Sequence, residues 1–428
     1  MSRSLELLKE RYLKNLKTKP DLYVGIELEF PIVEQSGRAT DLLVAKSLLE
    51  KLSTKIDMQV EKRDADGYPI QLYSPETQDR ILFEVSYNTL EFAFGRAKKI
   101  QEVELRFNAY LEQIQAILKP SNHALQGYGV HPCWDKNDNQ PVLSPRYQML
   151  MQYLAMSQQI DKPALHAFPQ YGAFICGSQV QLDVSRTNYL TVINAFNQIE
   201  AAKAYLFANS EFWGQSWSTK ISRDIFWEES MHGIYPANVG LAETEFKDEE
   251  SFFTYLNQSA IFTAQRAGKT YYFYPIQAKD YLGQGSILAY DLQGREEYIQ
   301  PQEEDFQRHR SYQYQDLTTR GTIEFRSVCT QPLENTFAPA AFHLGLLLNL
   351  DKLTHYLKSN PFFDTYGRNY RELRRQFAQT RLEVKEERAV ISFAQDLLDL
   401  AREGLLRRGQ GEEVYLKKLF GKLRPDEK

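Results

Sequence analysis

Cysteine is scarce in this 428-residue chain. Its three thiols, Cys133, Cys176 and Cys329, form neither a metal-binding spacing nor an even disulfide framework. A disulfide-stapled scaffold is thereby excluded, and a reducing compartment is expected. No stretch approaches the ~20 consecutive apolar residues of a membrane span. The opening MSRSLELLKERYLKNLK lacks the apolar block of a signal peptide. A cytoplasmic protein that does not engage a membrane is the expectation. No long run of one charge occurs, and the net charge of −5 favours no nucleic-acid partner. Several chemistries lack their motifs: there is no phosphate-loop Gly-x-x-x-x-Gly-Lys-Ser/Thr, no dinucleotide-binding glycine fingerprint, and no Gly-x-Ser-x-Gly elbow. The seven histidines (123, 131, 166, 232, 309, 343 and 355) include no His-Glu-x-x-His pair. Repeats and low-complexity tracts are also missing.

What is present suits a large core: 43% of residues are hydrophobic and 25% charged. Leu5, Leu8, Tyr12 and Leu16 mark a first amphipathic helix, and residues 39–53 a second. Ile100, Val103, Phe107, Leu111, Ile114 and Leu118 trace a third, stopped by Pro120. Strands are predicted at 69–73, 80–85, 89–94, 125–131, 173–185 and 320–329, with Asp-Ala-Asp-Gly at 64–67 as a turn. Helices are predicted over 189–209 and much of 335–428. Hairpins and helices without a regular βαβ rhythm predict an α+β fold with a largely antiparallel sheet. Length alone is compatible with two average domains. The expectation is one catalytic domain over 1–428, its helical C-terminal segment (about 335–428) packing on it.

Five glutamates occupy strand positions where apolar or neutral residues are usual. In GIELEF (Gly25 to Phe30), Glu27 and Glu29 alternate with Ile26, Leu28 and Phe30, so both carboxylates share one face. In TIEFRS (Thr322 to Ser327), Glu324 and Arg326 share a face opposite Ile323 and Phe325. Glu84 and Glu91, in FEVSYNTLEFAF, fall on opposite faces of an unbroken strand. They can act together only if Ser86-Tyr87-Asn88 turns the chain. Converging carboxylates repel, and their pKa values rise unless cations compensate. Such a cluster suits hard metal ions whose coordination is completed by oxygen ligands and phosphates.

Each motif also has a plainer explanation. Alternating glutamates are commonly the solvated face of a half-buried sheet, and Glu324 with Arg326 could be a surface ion pair. In GSQVQLDVS (Gly177 to Ser185), Gln179, Gln181 and Asp183 share a face, which serves equally as an ordinary polar surface or as amide ligands. Arg223 could clamp a carboxylate or phosphate bidentately, or merely face solvent. Trp227 and the run Tyr271-Tyr272-Phe273-Tyr274 are candidates for a pocket wall, or for core.

The order of the motifs points to a family. GIELEF, FEVSYNTLEFAF, GYGVHPCWDKNDNQPVLSPRYQMLMQYL (127–154), GSQVQLDVS and SRDIFWEESMHGIYP (222–236) occur in sequence. His309 follows, fifteen residues before Glu324, and AREGLLRRGQGEEVYL (401–416) ends the series. Over about residues 20–416 the chain resembles the glutamate–cysteine ligases of the carboxylate–amine ligase group, closest to their plant-type branch.

The resemblance implies a curved, largely antiparallel sheet forming a funnel with helices outside, as in the glutamine synthetase superfamily. It implies ATP and magnesium as cofactors, with L-glutamate and L-cysteine as the other small-molecule substrates. Glu27, Glu29, Glu84, Glu91 and Glu324 would hold the metal. Arg326 would serve both catalysis and nucleotide binding, with Arg223 acting on the substrate carboxylate beside Trp227. Gln181 stands where the family often has histidine or asparagine; an amide oxygen could serve there in cofactor binding. The alternatives are the same acyl-phosphate chemistry with another amine or acid, and a non-catalytic glutamate- or nucleotide-binding homologue. Oligomeric state is not legible.

Overall fold

Strict apolar–polar alternation over residues 24–30 yields an edge-to-edge scaffold strand whose two faces meet different surroundings. In the computed structural model, which describes residues 2–160 and 165–423, this strand is β1 (Val24–Glu34). The strands β2 (Gln59–Arg63), β3 (Pro69–Tyr73), β4 (Arg80–Phe83), β5 (Thr89–Ala93), β6 (His123–Leu125) and β7 (Gly177–Asp183) follow. Next come β8 (Val239–Gly240), β9 (Ala260–Arg266), β10 (Lys269–Gln277), β11 (Ile287–Tyr290) and β12 (Glu296–Ile299). β13 (Tyr312–Gln313), β14 (Gln315–Leu317) and β15 (Thr322–Cys329) complete the set.

Nine strands form the main sheet, in the order β14-β15-β7-β1-β5-β4-β3-β2, with β6 paired to the end of β1. Every pairing in it is antiparallel. The sheet is open, with β14 at one edge and β2 at the other. β9 to β12 make a second antiparallel sheet, and β8 pairs with β13 in parallel. The α+β, antiparallel expectation therefore holds, while the second sheet carries no clear alternation in sequence and was not anticipated.

One face of the main sheet is apolar. Ile26, Leu28, Phe30, Phe92, Val180, Leu182, Ile323 and Phe325 are all buried. Phe30 and Phe92 pack on Phe107 of the helix Ile100–Leu118. Phe325 meets Phe196 of the helix Tyr189–Gln198 and His343 of the helix Ala338–Leu348. The C-terminal helices, including the long Val384–Arg408, share this apolar core with the sheet. No helix among the described residues is long and apolar enough to cross a membrane.

Most predicted elements appear within a few residues of their expected bounds. The helix expected over 189–209 breaks at Ile199 into Tyr189–Gln198 and Glu200–Phe207. The strand expected over 125–131 is corrected: β6 ends at Leu125, and beyond it only Val130 bridges to Ile175. Two glycines, Gly127 and Gly129, lie in that stretch, where an added Cβ would come 2.4 Å from Gln331 O and 2.6 Å from Asn209 O.

Behind the sheet lies a buried ionic network. Arg374, on the helix Tyr370–Phe377, donates to both oxygens of Asp224 at 2.7 and 3.0 Å. It also reaches Glu200 Oε2 at 2.5 Å and the Ser327 carbonyl at 2.9 Å. Lys203 Nζ donates to the other Glu200 oxygen at 2.6 Å. Asp224 adjoins Arg223 and Ser327 adjoins Arg326, so the network fixes the backbone beneath two arginines of interest. Removing one partner of such a buried set leaves a charge uncompensated. Arg374→Met should lower the unfolding free energy by about 3–5 kcal/mol in urea titration. A change under ~1 kcal/mol would mean the network bears little of the fold.

Candidate active site

Register converts five scattered glutamates into one surface. Directly opposed residues in an antiparallel pair share a face. Glu29 opposes Glu91 across β1/β5, and Glu27 opposes Gln179 across β1/β7. Glu324 opposes Gln181 across β15/β7 and Asp316 across β14. Glu84 joins them because the chain reverses between β4 and β5. The Ser86 N–H donates to the Glu84 carbonyl at 2.7 Å around Val85, which holds φ at 61°. A β-branched residue at positive φ is strained. Buried anchors hold it there: Ser86 Oγ donates to Ala173 O at 2.8 Å, and Asn88 Nδ2 to Asp138 O at 2.8 Å.

Glu27, Glu29, Glu84, Glu91 and Glu324 all line one cavity of about 780 Å³, together with Arg223, Trp227 and Arg326. Its far wall comes from the helix Pro145–Ala155, through Arg146, Met149 and Leu150, and from Phe262 of β9. The Tyr147 hydroxyl donates to Glu84 at 2.6 Å. The Gly177 N–H donates to Glu29 at 2.6 Å. Arg326 Nη1 contacts Glu324 and donates to Gln179 Oε1 at 2.9 Å. The pairing of β15 with β7 shifts register between Phe325 and Val328, so Arg326 projects from a bulge.

Arg223 is buried, with Nη1 donating to the Val328 carbonyl at 3.1 Å and Nε without a partner. It can lie across β7 only because position 177 is glycine: a Cβ there would come within 2.4 Å of Nη2. Trp227 lies on the same short helix, Ser222–Glu228, and stacks obliquely on Tyr312.

Negative charge is crowded on the sheet face of the cavity. Loss of water, reinforced by Glu324 and opposed by Arg326, pushes Glu27 up to about 7. Loss of water also pushes Glu29 up to about 7, against Arg223 and with Glu84 adding to the rise. Glu91 is raised well above the usual carboxylate range by burial and then by Glu84, Glu27 and Glu29. Among the described residues no three acidic, histidine or cysteine side chains are grouped to hold one metal ion by themselves. Magnesium ordinarily takes one or two carboxylates and completes its octahedron with water and phosphate oxygens. Paired glutamates with unmet charge fit that habit.

One expectation is revised. Gln181 does not line the cavity; its amide donates to Glu27 at 2.9 Å and accepts from Arg320 at 2.6 Å, so both ends are taken by the chain. Gln179, two residues earlier on the same face, lines it instead. The Tyr271–Tyr274 run lies in β10 and turns Tyr271 and Phe273 into the core, leaving the wall to its neighbour β9. His309 is fully buried between the Tyr12 hydroxyl and Ser259 Oγ. Arg146, Arg310, Tyr312 and His232 line the cavity without having been singled out; only Arg146, within the 127–154 motif, and His232, within the 222–236 motif, carried a signal.

Comparison with known proteins gives the family. The family model for glutamate–cysteine ligase family 2 matches residues 23–423. The chain belongs to that family. The chloroplastic glutamate–cysteine ligase of Brassica juncea is 23% identical over 316 residues, covering 72% of this chain and 57% of that protein. The Solanum lycopersicum enzyme is 22% identical over 315 residues, covering 72% and 56%. The chain thus spans little more than half the length of these relatives. A solved glutamate–cysteine ligase from Francisella tularensis, in complex with AMP, aligns over 95% of this chain and 83% of its own, with a TM-score of 0.49 and 13% identity.

For this family member, the raised carboxylates make stability depend on pH. A carboxyl whose folded pKa exceeds its ordinary 4.5 stabilises fully below that value, and the contribution is lost as pH rises through about 7. In metal-free buffer, the wild-type melting temperature should fall more steeply from about pH 5 to about pH 8 than that of Glu27→Gln/Glu29→Gln. Parallel curves would mean that both glutamates ionise normally.

Proposed function

We propose that this chain joins the γ-carboxylate of L-glutamate to the amino group of L-cysteine at the expense of ATP, within a reducing compartment such as the cytoplasm. The observation that carries the reading is the convergence of five glutamates, from three separate stretches of chain, with Arg223 and Arg326 on one cavity. A carboxylate is a poor acyl donor, so activation comes first. A glutamate γ-carboxylate oxygen attacks the terminal phosphorus of ATP; the bond to the bridging oxygen breaks and ADP departs. The amine lone pair then attacks the carbonyl carbon of γ-glutamyl phosphate. The carbon–oxygen bond to phosphate breaks, inorganic phosphate leaves with the electron pair, and the nitrogen sheds its surplus protons.

Catalysis of such a transfer rests on positioning and on neutralising charge. Magnesium at Glu27, Glu29, Glu84, Glu91 and Glu324 would offset the repulsion between those carboxylates and the anionic substrates. Arg326, fixed by Glu324 and Gln179, turns the rest of its guanidinium fork to the phosphates. Arg223, held from behind through Asp224, faces the glutamate carboxylate. Trp227 and Tyr312 wall off water, which would otherwise hydrolyse the acyl phosphate. Gln181 acts one step back by steadying Glu27.

ADP release should require L-glutamate and magnesium–ATP and rise most when cysteine is the amine. Stimulation by another amine would keep the chemistry and change the acceptor; no turnover with any pair would leave a binding protein. Glu324→Gln should lower turnover at least ~100-fold, as loss of a transition-state electrostatic group does. Arg326→Lys should fail similarly, because a point charge cannot replace a bidentate fork. Near wild-type rates in either variant would take that residue out of the reaction.

A further inference from the structure

The cavity holds more cationic groups than the acidic sheet face accounts for. Lys62 is bonded to Gln71, Arg80 to Glu61, Arg308 to Gln265 and Arg320 to Gln181. Arg223 and Arg326 have the partners described above. Of the cations lining the cavity, only Arg146 and Arg310 make no hydrogen bond or ion pair with any described residue. Arg146 lies near the acidic end, where Glu84 and Glu91 act on it. Arg310 lies over the Tyr312 ring and also feels Glu324, Asp316 and Glu27, so it stands where the aromatic wall meets the other end of the acidic face.

Arg310 is not a loosely tethered surface residue. The residue before it, His309, is locked in the core by Tyr12 and Ser259, and Arg11 Nε donates to its carbonyl at 3.0 Å. The residue after it, Ser311, is 1% exposed and bonded to Asp316. An exposed guanidinium is therefore projected into the cavity from a backbone pinned on both sides. It rests on the Tyr312 ring at 5.2 Å, and Arg326 approaches the same ring at 5.7 Å. Tyr312 in turn packs on His232 at 4.5 Å and Trp227 at 5.1 Å. His232 is buried, its Nδ1 bonded to the Tyr171 hydroxyl at 3.1 Å and its Nε2 without a partner. The result is an aromatic box with one free, charged fork at its mouth.

We infer that Arg310 seats the carboxylate of the amine-bearing substrate, so that the acceptor is an α-amino acid whose small side chain lies against Tyr312 and Phe262. This deepens the ligase reading and rests on it. The reaction has three anionic participants. The nucleotide phosphates belong with the glutamate row and Arg326, and the acyl donor, with its γ- and α-carboxylates, with Arg223 and Arg146. The third anion needs a cation of its own, and a guanidinium with a free fork matches a carboxylate bidentately. A neutral imidazole and aromatic rings beside it suit a small amino acid better than a polyphosphate.

The discriminating pair is L-cysteine against cysteamine, which differ only in the carboxylate. Arg310→Met should raise KM for L-cysteine at least about 30-fold, the scale for losing a charged hydrogen-bonded contact. KM for cysteamine, L-glutamate and ATP should stay within about threefold, and Arg310→Lys should recover part of the loss. A rise in KM for ATP or glutamate instead, an equal rise for both amines, or no change would overturn the assignment. Should the wild-type protein turn over no amine, the ligase reading fails separately. Calorimetric titration of L-cysteine and cysteamine then decides. Tighter binding of cysteine to wild type, abolished in Arg310→Met, supports the seat; equal binding of the two amines removes it. Arg310 is exposed, so unchanged thermal melting should accompany the variant.

Discussion

Like charge crowded on one face of a sheet sets the terms for this protein. Three of the five glutamates carry pKa values lifted by burial and by one another. That arrangement is unfavourable for the isolated fold, since each carboxylate has lost water and gained a repelling neighbour. It persists because the opposite face of the same strands buries Ile26, Leu28, Phe30, Val180 and Phe325 against helices. Strand alternation makes the two faces inseparable: the apolar residues that hold the sheet together oblige the polar ones to share a surface.

The arginines are managed differently from the glutamates. Arg374, Glu200, Lys203 and Asp224 form a saturated ionic network behind β15, with every charge answered inside the core. Arg223 and Arg326 stand one residue away from members of that network, so their backbone is rigid while their side chains face the cavity. Rigidity of this kind is what a reaction that depends on positioning needs. Glycine at 177 gives Arg223 its path across the sheet, and the bulge in β15 gives Arg326 its direction.

Membership of the glutamate–cysteine ligase family and the geometry of the cavity point the same way, but they speak to different things. The family match runs over residues 23–423, whereas the plant relatives are nearly twice as long as the stretch they share with this chain. The residues that the family matches include the acidic sheet face and its arginines. Arg310 and His232 line the aromatic wall of the cavity, where we place acceptor choice.

Period-two patterning made the faces of β1, β7 and β15 legible, because alternation is a local property and each strand shows it within six or seven residues. The third helix was equally plain from its 3.6-residue period. The motif order carried the family, since seven short patterns in sequence constrain more than any one does. Local pattern could not say that Glu84 and Glu91 meet: that depends on a strained turn at Val85, held by contacts with residues 138 and 173. Nor could it separate Gln179 from Gln181, which share a face and a chemistry; Arg320, 139 positions along the chain from Gln181, takes up the latter. The sequence by itself thus determined which residue types lie on each face of each strand. Only the tertiary structure decided which faces converge, which polar groups are already spent on one another, and which, like Arg310, remain free to bind, because those outcomes turn on register and long-range contact.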